Sequence, residues 1–215
     1  MRVEIFADFI CPWCGIGVRR FEEALCGFER RDEVEVIRRA FQLNPQAEIG
    51  ATEPSAAMLA RRGHSPEAIE AMAEKIEGIA RESGIAPFHV KGNLVGSTAL
   101  AHELAAFAAR EGRGAEAWDA LFRAYFGEQR SIFTVAALQS VGEEIGLDRD
   151  AVGAALHDRL FKEEVQQDLR RARMLGIGGV PFFIFGERFA VSGAQSAAQF
   201  RVAMERAWKD KSDRG

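Results

Sequence analysis

The sequence lacks three features, and each absence excludes a class of protein. Its 215 residues contain only three cysteines, too few for the framework of several disulfides that holds many small secreted domains together. No stretch approaches the roughly 18 uninterrupted apolar residues of a membrane-spanning helix. The formal net charge of −4 provides no general attraction to nucleic acid or to an anionic membrane surface. We therefore expect neither a nucleic-acid partner nor a membrane partner.

The N-terminus also lacks the pattern of a secretory signal peptide. Its short apolar run, MRVEIFADFI, is interrupted by Glu4 and Asp8, and no small-residue cleavage site follows. We therefore expect a cytoplasmic protein. In that compartment two close cysteines are more often catalytic or metal-binding than part of a structural disulfide.

What the sequence does contain is an alternation of strand and helix patterns at both ends. Residues 2–8 predict a strand, and a helical pattern starts at Cys14, with Pro12 in the first turn, where the missing N–H of proline costs nothing. Residues 33–43 predict a second strand, so the chain opens with a βαβ unit. Near the other end, VPFFIFGERFAVSG predicts a hairpin, and a helix follows over 196–208.

Between these ends, from about residue 54 to residue 175, the periodicity is helical. Predicted helices start at Ser65-Pro66 and Thr98, cover 115–127 and 134–146, and continue from 148 to 176 as one helix or two. The pattern predicts an α/β fold class with a second, all-helical lobe inserted. The predicted domain ranges are 1–50 and 165–215 for the two halves of the α/β domain, and 51–164 for the insertion.

The chemistry is concentrated in DFICPWCGIG, where Cys11 and Cys14 lie between the first strand and the first helix. The helix dipole and the unpaired N–H groups at that end favour an anion, so Cys11 should hold its thiolate more readily than a free cysteine. Cys14 lies one turn further on and is more shielded. The spacing predicts that Cys11 forms a mixed disulfide with a substrate sulfur and that Cys14 resolves it.

Two other interpretations of the pair are weaker. Two cysteines inside a core helix would be inert, but these open a helix around Pro12. A zinc site needs about four ligands, whereas Cys26 stands alone and the histidines lack the spacing of a ligand pair. We therefore predict no metal. Cys26 is interpreted as a small buried hydrophobe and His102 as a structural residue rather than a catalyst.

The residues around the pair are mostly apolar. Phe9, Ile10, Pro12 and Trp13 predict a substrate-binding surface that suits an unfolded chain or a bulky apolar small molecule. For Trp13 the alternative is packing on the neighbouring lobe. Asp8 either accepts the proton of Cys14 during resolution, or caps or hydrogen-bonds the next turn, and the sequence leaves both interpretations open.

A second signal is GIGGVPFFIFG, in which Pro181 stands at the very start of a strand, where sheets accept proline. The two glycines before Val180 allow a close or unusual backbone approach. The local sequence alone leaves open whether the bond before Pro181 is cis or trans.

Five segments in this order resemble the DsbA-like branch of the thioredoxin superfamily and, within it, the FrnE-type subgroup of predicted polyketide-biosynthesis dithiol-disulfide isomerases. They are DFICPWCGIGVRRFEEAL, FQLNP, STALAHEL, LFRAYF and GIGGVPFFIFGERFAVSGAQ. The resemblance implies a thioredoxin-like fold with an all-helical insertion domain and a cis Pro181 against the cysteine pair. It also implies that the backbone of Val180 bonds an extended substrate in the manner of strand addition.

The chain departs from the family pattern at two places. Gly15 stands where the family commonly has an aromatic residue directly after the second cysteine. In STALAHEL, the residues Ser97, Leu100 and Glu103 replace the family's Asn, Asp and Arg. The role of that polar cluster is therefore open in this chain.

We expect a thiol-disulfide oxidoreductase or isomerase with Cys11, Cys14 and Pro181 as its catalytic residues. It needs no tightly bound cofactor, glutathione or another thiol is a candidate co-substrate, and its partner is a protein or small molecule that carries a thiol or disulfide. One alternative is a glutathione-dependent isomerase or transferase of the kappa-class or 2-hydroxychromene-2-carboxylate isomerase type, which does not need Cys14. Another is a non-catalytic partner protein.

Overall fold

The computed structural model describes the backbone of residues 1–212 and the side chains of residues 1–210, so the last three residues of the predicted range 165–215 lie outside it. The strands are β1 (Arg2–Ala7), β2 (Glu35–Ala40), β3 (Thr52–Pro54), β4 (Leu94–Gly96), β5 (Phe182–Phe185) and β6 (Phe189–Ser192). The helices are α1 (Pro12–Cys26), α2 (Ser55–Arg61), α3 (Pro66–Glu82), α4 (Ala99–Arg110), α5 (Gly114–Phe122), α6 (Val135–Glu144), α7 (Arg149–His157), α8 (Lys162–Met174) and α9 (Ala197–Ser212). A 3₁₀ segment covers Arg31–Glu33 and a π-helical segment covers Arg123–Gly127.

The main sheet has the strand order β2-β1-β5-β6. β1 pairs parallel with β2 and antiparallel with β5, and β5 and β6 form the predicted hairpin. One face packs on α1 and α9, where the rings of Phe183 and Phe200 lie 4.5 Å apart. The other face packs on α8 and the segment after it, where Phe6 contacts Ala172 and Ile177. Because both faces are covered, β1 is buried from its second residue onward.

The inserted helices α3 to α7 begin within one residue of their predicted starts, whereas α2 was not predicted. Ser65, Thr134 and Asp148 each accept a hydrogen bond from the backbone N–H three residues further on, as N-cap residues do. The helical stretch from 148 to 176 is two helices, α7 and α8, separated by a turn in which Arg159 has a φ of +54°. Within residues 1–212, no helix is both long and apolar enough to cross a membrane.

One small sheet was missed by the sequence analysis. β3 and β4 pair antiparallel within the insertion, which the sequence predicted to be all-helical. Three-residue strands carry too little periodicity to be read from sequence. The domain boundaries themselves stay a prediction, and α8 extends across the one between 164 and 165.

Helix α1 belongs to both parts of the molecule. Its first turn, with Cys11 and Cys14, packs in the core of the inserted helices, whereas Phe21 packs against the sheet. Arg20 adds two polar ties, since its guanidinium donates to Ser83 Oγ at 2.9 Å and to the carbonyl of Ala194 at 2.8 Å. The cysteine pair therefore lies at the junction between the α/β domain and the insertion.

Candidate active site

Cys11 occupies the N-cap position of α1, and Pro12 follows at the first helical position. The Cys11 N–H donates to the carbonyl of Asp8 at 3.1 Å, and the Cys11 carbonyl accepts from the N–H of Cys14 at 3.0 Å. The first turn carries no acidic residue, so no carboxylate on α1 competes for the positive end of the helix dipole. The predicted position of the pair, after a strand and at a helix start, is confirmed.

The two cysteines differ in accessibility and in their surroundings. Cys11 is 4% exposed and Cys14 is fully buried, and neither forms a disulfide. Burial raises the pKa of Cys14 well above its ordinary value, and the Cys11 side chain and the charge of Asp8 raise it further. The N–H of Asp8, 3.5 Å from Cys14 Sγ, acts in the opposite direction without cancelling these effects. Cys14 is therefore a protonated thiol at neutral pH, and it needs a base before it can attack.

Pro181 lies directly against the first turns of α1. The Val180–Pro181 bond is cis, and the Cys11 thiol donates to the Val180 carbonyl at 3.5 Å. A Cβ on Gly17 would lie 2.8 Å from Pro181 Cγ, so only glycine leaves room for the proline ring at this position. The cis bond and the position against the cysteine pair, both implied by the family resemblance, are confirmed. The sequence analysis missed Gly17, although it stands inside the motif CGIG.

Asp8 is fully buried beneath the pair. Its Oδ2 accepts a hydrogen bond from the N–H of Leu43 at 2.7 Å, which ties the end of β1 to the segment that follows β2. Within the described residues Oδ1 has no hydrogen-bond partner, so the carboxylate neither caps α1 nor hydrogen-bonds its first turn, and that interpretation is wrong. A buried carboxylate next to Cys14 remains in a position to serve as a proton acceptor.

His102 lies on α4 and reaches the same place from the insertion. Its Nε2 is 2.9 Å from the carbonyl of Phe41 and 3.5 Å from Asp8 Oδ1. The ring packs against those of Phe9 and Trp118, with centroid distances of 4.7 Å and 5.7 Å. Sequence reasoning found no role for Phe41, although it belongs to the quoted segment FQLNP.

The residues predicted to bind substrate divide into two groups. Trp13 is 38% exposed, as expected, and Ile10, Pro12 and Val180 are partly buried, so these four can form a surface beside Cys11. Phe9 is fully buried, and its assignment as a substrate contact is corrected. Its ring lies 4.4 Å from Trp118 and 5.3 Å from Phe122 because α5 packs over it.

The structure also accounts for two sequence features left open. A Cβ on Gly15 would lie 3.3 Å from the ring of Phe88, so residues of the insertion already fill the space beside Cys14. Glu103, where the family has arginine, is buried and accepts hydrogen bonds from Arg159 at 2.9 Å and 3.1 Å.

Cys26 is exposed at the end of α1, which corrects its interpretation as a buried hydrophobe.

Within the part of the chain that the structure describes, no three His, Cys, Asp or Glu side chains lie together as metal ligands would. The expectation of no metal stays a prediction. Two cavities, of about 630 Å³ and 440 Å³, lie beside α4 and beside α1. Neither of these two cavities is lined by Cys11, Cys14 or Pro181.

Comparisons with known proteins agree with this geometry. A family model described as DSBA-like thioredoxin domain matches residues 2–205. The probable DsbA oxidoreductase SCO1869 from Streptomyces coelicolor superposes with a TM-score of 0.93 at 39% identity, covering 97% of this chain and 90% of that one. The uncharacterized protein YwbO of Bacillus subtilis (strain 168) is 28% identical, covering 98% of this chain and 99% of its own. A 2-hydroxychromene-2-carboxylate isomerase has a TM-score of 0.73 at 18% identity over 100% of both chains, which shows a shared fold. The predicted fold class, a thioredoxin-like fold with a helical insertion, is confirmed.

Proposed function

The chain belongs to the family of DSBA-like thioredoxin domains, and on that premise we propose that it is a thiol-disulfide oxidoreductase acting through Cys11 and Cys14. The observation that carries the proposal is the arrangement of the two thiols at the start of α1. Cys11 is at the helix N-terminus beside cis-Pro181, and the buried Cys14 lies behind it. We also propose that the protein is a member of the FrnE-type subgroup, that it can isomerise disulfides and that it acts in the cytoplasm.

The proposed reaction is two successive thiol-disulfide exchanges. The Cys11 thiolate attacks one sulfur of a substrate disulfide, a Cys11–substrate disulfide forms, and the other substrate sulfur leaves as a thiolate with the bonding electron pair. Cys14 then loses its proton to Asp8 and attacks Cys11 Sγ, so that the first substrate sulfur also leaves as a thiolate. The two substrate thiolates take up protons, the substrate has gained two electrons, and the Cys11–Cys14 pair has become a disulfide. The reverse sequence oxidises a dithiol substrate.

The surface around Cys11 suits an extended or apolar substrate. Trp13, Ile10 and Pro12 border the sulfur on α1, and Val180 borders it from the other half of the chain. Gly178 and Gly179 are exposed, and open space surrounds the positions where their Cβ atoms would stand. A peptide segment can therefore approach the backbone before Pro181 and pair with it in an extended conformation. Glutathione or another small thiol is the proposed co-substrate that returns the pair to its dithiol form, becoming a disulfide itself.

The alternative of a glutathione-dependent isomerase is supported by the fold it shares with the 2-hydroxychromene-2-carboxylate isomerase. Such a reaction uses one activated sulfur and has no need of a second buried thiol. In this chain Cys14 is held by the N–H of Asp8, and neither of the two cavities described above is lined by Cys11. These observations favour exchange through both cysteines.

Reduction of insulin disulfides by a thiol donor tests the proposal. We expect Cys11→Ser to lose the catalysed rate, because the attacking sulfur is gone, and Cys26→Ser to keep it, because Cys26 is exposed at the far end of α1. Unchanged insulin reduction by Cys11→Ser would contradict the proposal. A Cys14→Ser variant that isomerises a small electrophile with glutathione at the full wild-type rate would favour the isomerase alternative.

A further inference from the structure

His102 brings a ring nitrogen of the insertion to 3.5 Å from Oδ1 of Asp8, the carboxylate beneath the redox pair. We propose that His102 is a positioning residue for the resolving step: its Nε2–H holds Asp8 ionised, so that Asp8 can accept the proton of Cys14. This inference rests on the proposed thiol-disulfide exchange and assigns a role to a residue that the sequence indicates only as structural.

The two oxygens of Asp8 have different surroundings. Oδ2 is held by the N–H of Leu43 at 2.7 Å. Among the residues that the structure describes, Oδ1 has no hydrogen-bond partner, and His102 Nε2 lies 3.5 Å away. This distance is too long for a full hydrogen bond, so Oδ1 keeps a free lone pair for an incoming proton. One oxygen fixes the carboxylate in place and the other remains available for chemistry.

The contact with Phe41 defines which nitrogen of His102 carries hydrogen. A backbone carbonyl only accepts hydrogen bonds, and the carbonyl of Phe41 is 2.9 Å from Nε2. Nε2 must therefore be the protonated nitrogen. Its N–H donates to the Phe41 carbonyl and places partial positive charge near Asp8 Oδ1. His102 Nδ1 has no hydrogen-bond partner within the described residues.

Burial makes this contact effective. The side chains of Asp8 and His102 are both fully buried, and Phe9 and Trp118 pack against the His102 ring. In such surroundings a carboxylate is costly to ionise unless donors face it. The Leu43 N–H donates to one oxygen of Asp8, and the His102 Nε2–H places a partial positive charge near the other. Removing the His102 N–H should favour the protonated form of the Asp8 carboxyl group, which cannot take a proton from Cys14.

Other titratable groups surround this pair and must be included in any titration. Cys11 and Cys14 face it from α1. Tyr125, on the π-helical segment, has a pKa raised by burial and by the charge of Asp8. Asp168, on α8, has a pKa raised by burial, which outweighs the opposing effects of the Ala40 N–H, Arg39 and His102. Among these groups, Cys14 is the one whose deprotonation the resolving step requires.

Single-turnover reaction with dithiobis-nitrobenzoate isolates that step in a Cys26→Ser background. Cys11 attacks the reagent, a protein–thionitrobenzoate disulfide forms and one thionitrobenzoate is released. Cys14 then gives its proton to the base and attacks Cys11, the mixed disulfide breaks and a second thionitrobenzoate is released. The second release reports resolution without any knowledge of the natural substrate, and Cys14→Ser should abolish it.

We expect His102→Leu to move the pH midpoint of the second release upward by about one unit, which slows it about tenfold below the midpoint. The first release should stay within about twofold. His102→Gln, whose amide can place an N–H near the same point, should restore the second release to within about threefold of wild type. His157→Leu, an exposed histidine on α7, is the matched control and should change neither release.

A purely structural His102 predicts a different result. In that case His102→Leu and His102→Gln would lower the thermal midpoint and leave the pH profile of the second release on that of the wild type, which would overturn the inference. If His102→Leu does not fold, the comparison of His102→Gln with wild type in an Asp8→Asn background decides. The inference predicts that any difference in the pH midpoint of the second release between His102→Gln and the protein with His102 disappears when Asp8→Asn is present in both. A difference as large as that measured with Asp8 intact would contradict the inference. Loss of insulin reduction in all variants, with normal second release, would instead argue against the proposed function.

Discussion

The thiol of Cys11 donates a hydrogen bond to the backbone carbonyl of Val180, 169 residues further along the chain, at a distance of 3.5 Å. This contact joins the first half of the α/β domain to the second across the whole inserted lobe. It also places the Cys11 sulfur beside the backbone segment that precedes Pro181, in which Gly178 and Gly179 are exposed. The candidate site is therefore complete only when both ends of the chain have folded together.

Gly17 controls how closely Pro181 approaches α1. A Cβ at this position would lie 2.8 Å from Pro181 Cγ and 3.3 Å from the backbone of Ala194. We expect Gly17→Ala to lower the free energy of unfolding by about 1–2 kcal/mol. The rate of insulin reduction should fall by more than the decrease in the folded fraction accounts for. Gly78→Ala, in the middle of α3 with no heavy atom nearby, is the control and should stabilise the protein by about 0.5–1 kcal/mol. Equal activities of the two variants would contradict the assigned role of Gly17.

Glu4 is predicted to make stability depend on acidic pH. Burial alone would raise the pKa of Glu4, but the guanidinium groups of Arg171 and Arg39 outweigh burial and lower it. A lowered folded-state pKa contributes stability at neutral pH, and that contribution is lost as the pH falls from about 5 through the folded-state value. Glu4→Gln should cost about 1–2 kcal/mol at pH 7, because both arginines are partly solvated.

Urea unfolding at several pH values checks this prediction. The free energy of unfolding of wild type should fall more steeply between about pH 5 and pH 3 than that of Glu4→Gln. Glu35→Gln, which alters the exposed pair with Arg2, should follow wild type. Parallel pH curves for wild type and Glu4→Gln would show that Glu4 is not the group responsible.

The Glu103–Arg159 pair should be important for stability. Glu103 is 1% exposed, so Arg159→Ala leaves a carboxylate buried without its cation. We expect a loss of about 3 kcal/mol, near the lower end for breaking a buried pair. Arg149→Ala removes an exposed partner of Glu143 and should cost less than about 1 kcal/mol. Chemical denaturation of both variants measures the two losses in free energy of unfolding. Equal losses would contradict the role assigned to the Glu103–Arg159 pair.

Asp8→Asn separates two effects of the buried carboxylate. The charge of Asp8 raises the pKa of Cys14, so its removal should make the thiol easier to ionise. The variant also lacks the base that accepts the proton. If base function dominates, the second thionitrobenzoate release should slow at neutral pH by at least about tenfold. A second release faster than that of wild type would show that Asp8 acts only through its charge.

The sequence predicted the elements that carry a clear local pattern. β1, α1, the β5–β6 hairpin and the capped helices of the insertion each show periodicity or a cap residue within a short window. The position of Cys11 at a helix start follows from the same local information. The identification of Pro181 as its neighbour came from the family resemblance, because nothing local links two residues so far apart in the chain.

What the sequence did not predict depends on contacts between distant segments. Phe9 reads as an exposed apolar residue beside the cysteines, yet α5 brings Trp118 onto its ring. The partners of Asp8 lie on the segment after β2 and on α4, so the carboxylate cannot be interpreted from its neighbours in sequence. Cys26 ends α1 on the exposed side, and helical periodicity at a terminus predicts burial poorly.

Trapping the mixed disulfide tests the central claim most directly. A Cys14→Ser, Cys26→Ser variant retains only Cys11 as a thiol and should form a stable adduct with a disulfide substrate, because no resolving thiol remains. Intact-mass and peptide mass spectrometry after incubation with oxidised glutathione should find one glutathione per chain, on Cys11, that wild type in the same reaction does not retain. Absence of the adduct, or equal retention by wild type, would contradict an exchange reaction in which Cys11 attacks and Cys14 resolves.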